Sequence, residues 1–85
     1  MANVSFYPPV SIDFGGRIGD VASVQEASEC LISDKWPDVS GPMWKTAMRA
    51  LIGARAGYVF ADEARQAFAA AALEVGILVG SDLPP

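Results

Sequence analysis

Val10, Ile12 and Phe14 alternate with Ser11 and Asp13, the two-residue period of a strand that buries one face. Gly15-Gly16 follows and supplies the positive φ angles a tight hairpin turn requires, so a β-hairpin opens the fold. Two registers compete. A two-residue turn pairs Val10 with Val21 and Ile12 with Gly19, whereas a three-residue loop sets Phe14 against Ile18 and Ile12 against Asp20. The first is preferred, because Asp20 does not suit a core face.

Beyond the hairpin the apolar period changes to that of helices. Ser23-Val24-Gln25-Glu26 has the spacing of a capping box, in which the serine oxygen accepts from a free backbone N–H and the glutamate reaches back. Val24, Ala27 and Leu31 then form one stripe with Cys30 at its edge, opposite Gln25, Glu26, Glu29 and Ser33. Pro37 is expected to end this helix. Asp38 to Gly41 reads as a loop, and Pro42 as the first residue of a second helix running to about Ala56, with Gly57 as a left-handed cap. Met43, Trp44, Ala47, Met48, Leu51 and Ala54 share its buried face, and Lys45 and Arg49 lie on the other. Gly53 inside it marks either a close backbone contact or simple tolerance.

A third helix is expected from near Ala61 to Gly76, with Asp62 and Glu63 in the first turn, where the helix dipole favours them. Its stripe is Ala64, Phe68, Ala71 and Val75, flanked by Ala61, Ala67 and Ala72. Ile77-Leu78-Val79 reads as a short strand that joins the hairpin's edge. The class is therefore α+β: an N-terminal β-hairpin, three helices and a short C-terminal strand, in a single domain over residues 1–85 with a core at about 6–79 and short flexible ends.

Composition narrows the function more than it defines it. Eighty-five residues with 52% hydrophobic and 19% charged side chains exclude a two-domain enzyme and argue against intrinsic disorder. A single cysteine cannot form an internal disulfide, so a reducing, cytoplasmic setting is expected. The N-terminus has no basic residue before its first apolar stretch, which Pro8 and Pro9 interrupt, so it does not read as a signal peptide, and the apolar stretch 67–80 is broken by Glu74 and too short for a bilayer. The net charge of −4 works against nucleic acid. With no histidine and one cysteine, neither a metal site nor any other cofactor is expected.

The remaining chemistry is sparse. Asp62 with Glu63, and Glu26 with Glu29, stand at helix starts or on polar faces, where capping and solvation explain them. Cys30, beside an apolar stripe, reads as a small packed hydrophobe rather than a nucleophile. Gly15-Gly16 precedes a strand and so lacks the context of a phosphate loop. Arg65 borders the third helix's stripe, within reach of a carboxylate such as Asp62 or of an external anion. Trp36 either folds over the core as a lid or stands out as an interface anchor. Leu73 and Ile32 depart from their helices' stripes and leave apolar surface uncovered.

Pro9-Val10, Ser23 through Ala27, Trp36-Pro37, Gly41-Pro42, Ala64-Arg65, Phe68, Ala71-Ala72, Glu74 and Gly76 occur in an order and spacing that resembles the domain of unknown function 982 family, small proteins mainly of rhizobia and their relatives. The resemblance spans about residues 6–79. It implies a compact, cytoplasmic single domain and brings no activity, cofactor or catalytic residue with it. One departure stands out: Phe60 occupies the place of the serine-like cap that the family tends to put before the third helix.

These observations favour a non-enzymatic protein-interaction or regulatory module that self-associates as a homodimer, with contacts at Trp36, Arg65 and Leu73. Two alternatives remain: a nucleic-acid-binding module using Lys45, Arg49 and Arg55, and a small-ligand or enzymatic pocket between hairpin and helices with Arg65 as an anion contact.

Overall fold

A computed structural model describes residues 4–34 and 36–79; of the short ends expected beyond the core, residues 1–3 and 80–85 lie outside these, whereas Ser5 belongs to a strand and Val4 C=O accepts from Val24 N–H. Two strands and three helices follow one another along the chain: β1 (Ser5–Phe14), β2 (Arg17–Ser23), α1 (Val24–Leu31), α2 (Pro42–Ala56) and α3 (Ala61–Glu74). The hairpin takes the preferred register, with Val10 opposite Val21, Ile12 opposite Gly19 and Phe14 opposite Arg17. Gly15 and Gly16 both have positive φ, 60° and 91°, as a two-residue turn matched to strand twist demands. The Asp13 side chain accepts from Gly16 N–H at 2.9 Å and braces the turn.

β1 begins five residues earlier than the alternation suggested. Ser5 pairs with Ser23, but the register shifts between Ser5 and Val10, so Pro8 and Pro9 sit in an irregular stretch. Prolines are tolerated there because an irregular strand leaves some backbone positions out of the ladder.

The C-terminal segment completes the sheet. Ile12 and Leu78 form an antiparallel bridge, Asp13 N–H donates to Ile77 C=O at 2.8 Å, and Val79 N–H donates to Ser11 C=O at 3.0 Å. β1 is therefore central, with β2 on one edge and residues 77–79 on the other.

Helix ends follow local chemistry. Ser23 Oγ accepts from Glu26 N–H at 3.1 Å, and Glu26 Oε1 accepts from Ala22 N–H at 2.7 Å. That is a capping box with its return bond shifted one residue outward. α1 stops at Leu31, well before Pro37, which corrects the expected terminator. The chain turns through Ser33 N–H to Cys30 C=O and Trp36 N–H to Ser33 C=O, and the turn carries Trp36 into the core. Trp44 Nε1–H donates to Leu31 C=O at 2.9 Å, satisfying a carbonyl that the helix end leaves unpaired.

α2 starts at Pro42 and ends at Gly57 as expected, with Gly57 N–H on Ala54 C=O and Tyr58 N–H on Gly53 C=O, the Schellman pattern. α3 ends at Glu74, two residues short of the expected limit, and Gly76 and Ile77 repeat the pattern on Leu73 and Ala72. Phe60 is the N-cap of α3 and offers no side-chain hydrogen bond, consistent with its departure from the family pattern.

The core centres on Phe68, fully buried, which lies 5.7 Å from Trp36 and 6.3 Å from Phe6 between ring centroids. Phe14 meets Trp36 edge-on at 6.3 Å and 86°, so aromatic contacts link both ends of β1 through α3 and the α1–α2 connection. Val10, Ile12, Val24, Leu31 and Leu51 complete it. The alanines of α3, including the unanticipated Ala69, let α2 approach closely.

Candidate functional site

β2 is the sheet's outer strand, and the first four of its residues, from Arg17 to Asp20, are exposed. Because Phe14 and Arg17 close a two-residue turn, Arg17, Gly19 and Val21 bond to β1, while Ile18, Asp20 and Ala22 turn their backbone groups outward. The other side of β1 shows the same alternation, since Ser11 and Asp13 supply the bonds to residues 77–79. Glu26 occupies the outward N–H of Ala22.

Beside this edge, between the hairpin and α1, lies an open cleft of about 410 Å³. Ile12, Phe14 and Val21 form its apolar side, Cys30 and Ser33 its helix side, and Glu26 and Glu29 its acidic rim, while Gly19 and Asp20 border it at the strand edge; the Asp20 carboxylate, paired across the strands with Ser11, turns to the opposite face of the sheet. No lysine or arginine is among the described residues that line it. Asp20 is held in place by Ser11 Oγ–H at 2.8 Å across the strands. Partial burial, with Glu26 and Glu29 adding to it, pushes the Cys30 thiol up to about 11. At neutral pH the sulfur is a protonated, weakly nucleophilic group.

A family model described as Protein of unknown function (DUF982) matches residues 8–79 of the chain. The chain belongs to that family. No curated protein and no solved structure matches it.

In this DUF982 domain the residues singled out from sequence are scattered. Trp36 takes the core position of its two alternatives, only 4% exposed, with its Nε1 lacking a hydrogen-bond partner among the described residues; it presents almost no surface to another molecule. Leu73 is 47% exposed near the end of α3, and Ile32 is exposed at the end of α1. Arg65 is half-buried and already engaged within the chain. Lys45, Arg49 and Arg55 are all exposed on α2, whereas Trp44, expected in the core, is half-buried and locked by its bond to Leu31.

Arg65 does not line the cleft, so the pocket between hairpin and helices that the sequence suggested is walled by carboxylates instead of a cation. The acidic wall escaped sequence reasoning because Glu26 and Glu29 read there as a solvated helix face. The usable signal was the spacing of Glu26 and Glu29 beside Cys30, just after the strand-to-helix junction. Among the described residues no group of three or more acids or cysteines is arranged to hold a metal, and no helix is long and apolar enough to cross a membrane.

Proposed function

We propose that this DUF982 domain is a non-enzymatic protein-interaction module working in the cytoplasm. The observation that carries the reading is the uncovered apolar surface around a core already complete: Ile18, Ile32, Ile52 and Leu73 are 47–69% exposed, and Tyr58 and Phe60 at least 80%. A chain this small keeps such residues outside water's reach only by covering them with another chain.

Leu73 and Ile32 are the proposed contacts for self-association, and Arg65, on the same helix as Leu73, supplies a polar group. Light scattering after size exclusion, at two concentrations, tests this. A dimer that Leu73→Glu converts to monomer, with the circular dichroism unchanged, supports the homodimer; a dimer indifferent to Leu73→Glu and Ile32→Glu removes this contact assignment. A monomer at both concentrations leaves only heterologous partners.

One observation favours a second reading, nucleic-acid binding. α2 carries Lys45, Arg49 and Arg55 and no acid, and the exposed Tyr58 and Phe60 follow it directly, which joins cations to stacking surfaces. Three cations on a chain of net charge −4 make it the weaker of the two. Its expected signature is salt-sensitive binding to single-stranded oligonucleotides that reversal of Lys45 and Arg49 abolishes; absence of binding at low salt removes it.

A further inference from the structure

An open sheet edge, an apolar cleft and an acidic wall meet at one place, and each constrains what docks there. The outward N–H and C=O groups of Ile18 and Asp20 form a short unfilled ladder along β2. Backbone groups of this kind accept an added strand, whose alternate side chains then fall on one face of the sheet. On the inner face that position is the cleft, floored by Ile12, Phe14 and Val21, which suits an apolar side chain. Glu26 and Glu29 line its α1 side, with no cation among the described lining residues, so Lys or Arg on the same face of the added strand fits beside the apolar residue.

Pairing two copies through this edge would bring those carboxylates against their own counterparts, which disfavours a second copy as occupant. Ile18, 69% exposed, adds an apolar contact on the outer face. We propose that the β2 edge and its cleft receive an extended segment of a different protein, added as a strand, with an apolar residue in the cleft and Lys or Arg two residues to either side, on the same face. This rests on the protein-interaction reading and names the partner's chemistry.

The test uses the full chain and three labelled heptapeptides read by fluorescence anisotropy. The first carries lysine two residues to either side of a central valine with threonine at the positions between, the second replaces its lysines by glutamate, and the third is the lysine peptide N-methylated at alternate residues, which removes its donors to β2. Expected is saturable binding of the first, weakened by salt, with no binding of the second or third. Glu29→Lys weakens the first peptide about tenfold. Ile18→Pro, which removes one outward N–H from an edge position where proline is tolerated, abolishes it.

Amide exchange by NMR gives a second reading of the same contact: Ile18 and Asp20 gain protection when the first peptide binds. Binding that survives both N-methylation and Glu29→Lys overturns the proposal, as does failure of the first peptide to bind at millimolar concentration. Self-association abolished by Ile18→Pro and strengthened by salt would name a second copy as the occupant and overturn it too. Failure here leaves the Leu73 and solution-mass result untouched, so the two readings fail separately.

Discussion

A Cβ added at Gly53 would approach Val59 Cγ2 to 2.6 Å, and Gly53 C=O accepts from both Tyr58 and Val59 N–H. The glycine therefore exists for a close approach, which settles the choice the sequence left open. Alanine gains about 1 kcal/mol of helix propensity there but forces a stiff β-branched neighbour to move, at a cost of about 1–3 kcal/mol. Gly53→Ala is expected to lower stability in chemical denaturation, and the same change in a Val59→Ala background to raise it. Phe68→Ala should cost about 3–5 kcal/mol, since it empties the centre of the aromatic contacts. Trp36→Phe should cost far less, because it also removes a buried N–H that has no partner among the described residues. For Cys30 the expected alkylation profile rises with pH to a midpoint near 11, and Glu29→Gln moves that midpoint down by removing a like charge. A midpoint near the ordinary thiol value would contradict the partial burial described for it. The raised thiol also means that Cys30 favours the folded state fully below about pH 9, and that this contribution fades as pH rises towards 11.

Elements with punctuation at both ends were legible from sequence. α2 is bounded by Pro42 and Gly57, and the hairpin by Gly15-Gly16; each of these residues restricts or frees the backbone by itself, so local chemistry sufficed. α1 was legible at its start, through Ser23 and Glu26, and misread at its end. No breaker stands at Ile32, and the turn there is set by burial of Trp36, a contact no local window contains. The first half of β1 was hidden for a related reason: Pro8 and Pro9 signal interruption, and only pairing of Ser5 with Ser23 keeps the strand going. The cleft was the least legible feature, because its two sides are separated by the β2–α1 junction and become neighbours only when the helix folds back. Ser23→Ala is expected to cost about 1 kcal/mol, read as a lower denaturation midpoint with unchanged slope. A change in slope would indicate that the cap also sets how the hairpin and α1 join.

Across the whole molecule, charge is unevenly distributed. α2 holds Lys45, Arg49 and Arg55 and no acid, while the hairpin and α1 hold Asp13, Asp20, Glu26 and Glu29 against Arg17. α2 packs chiefly on α3 and α1, so the cationic surface and the acidic cleft belong to different layers. With a screening length of about 8 Å at physiological salt and a molecule 24 Å across its shortest axis, each surface acts on a partner largely by itself. Net charge is therefore a poor guide to what either surface binds, and salt titrations should be read separately for the α2 and β2 sides.

The bridge between Ile12 and Leu78 joins residues near opposite ends of the described chain. Closing a loop that long gains nothing until the helices between have docked, whereas the hairpin and α1 draw on contacts close in sequence. The outer bonds at residues 77–79 should thus form last during folding and open first in the native state. Hydrogen exchange under native conditions is expected to find the Val79 amide opening at much lower free energy than Val21 or Leu51. When it opens, β1 is left with a second exposed edge, and the same chain passes briefly from a three-stranded sheet to a hairpin with two free sides.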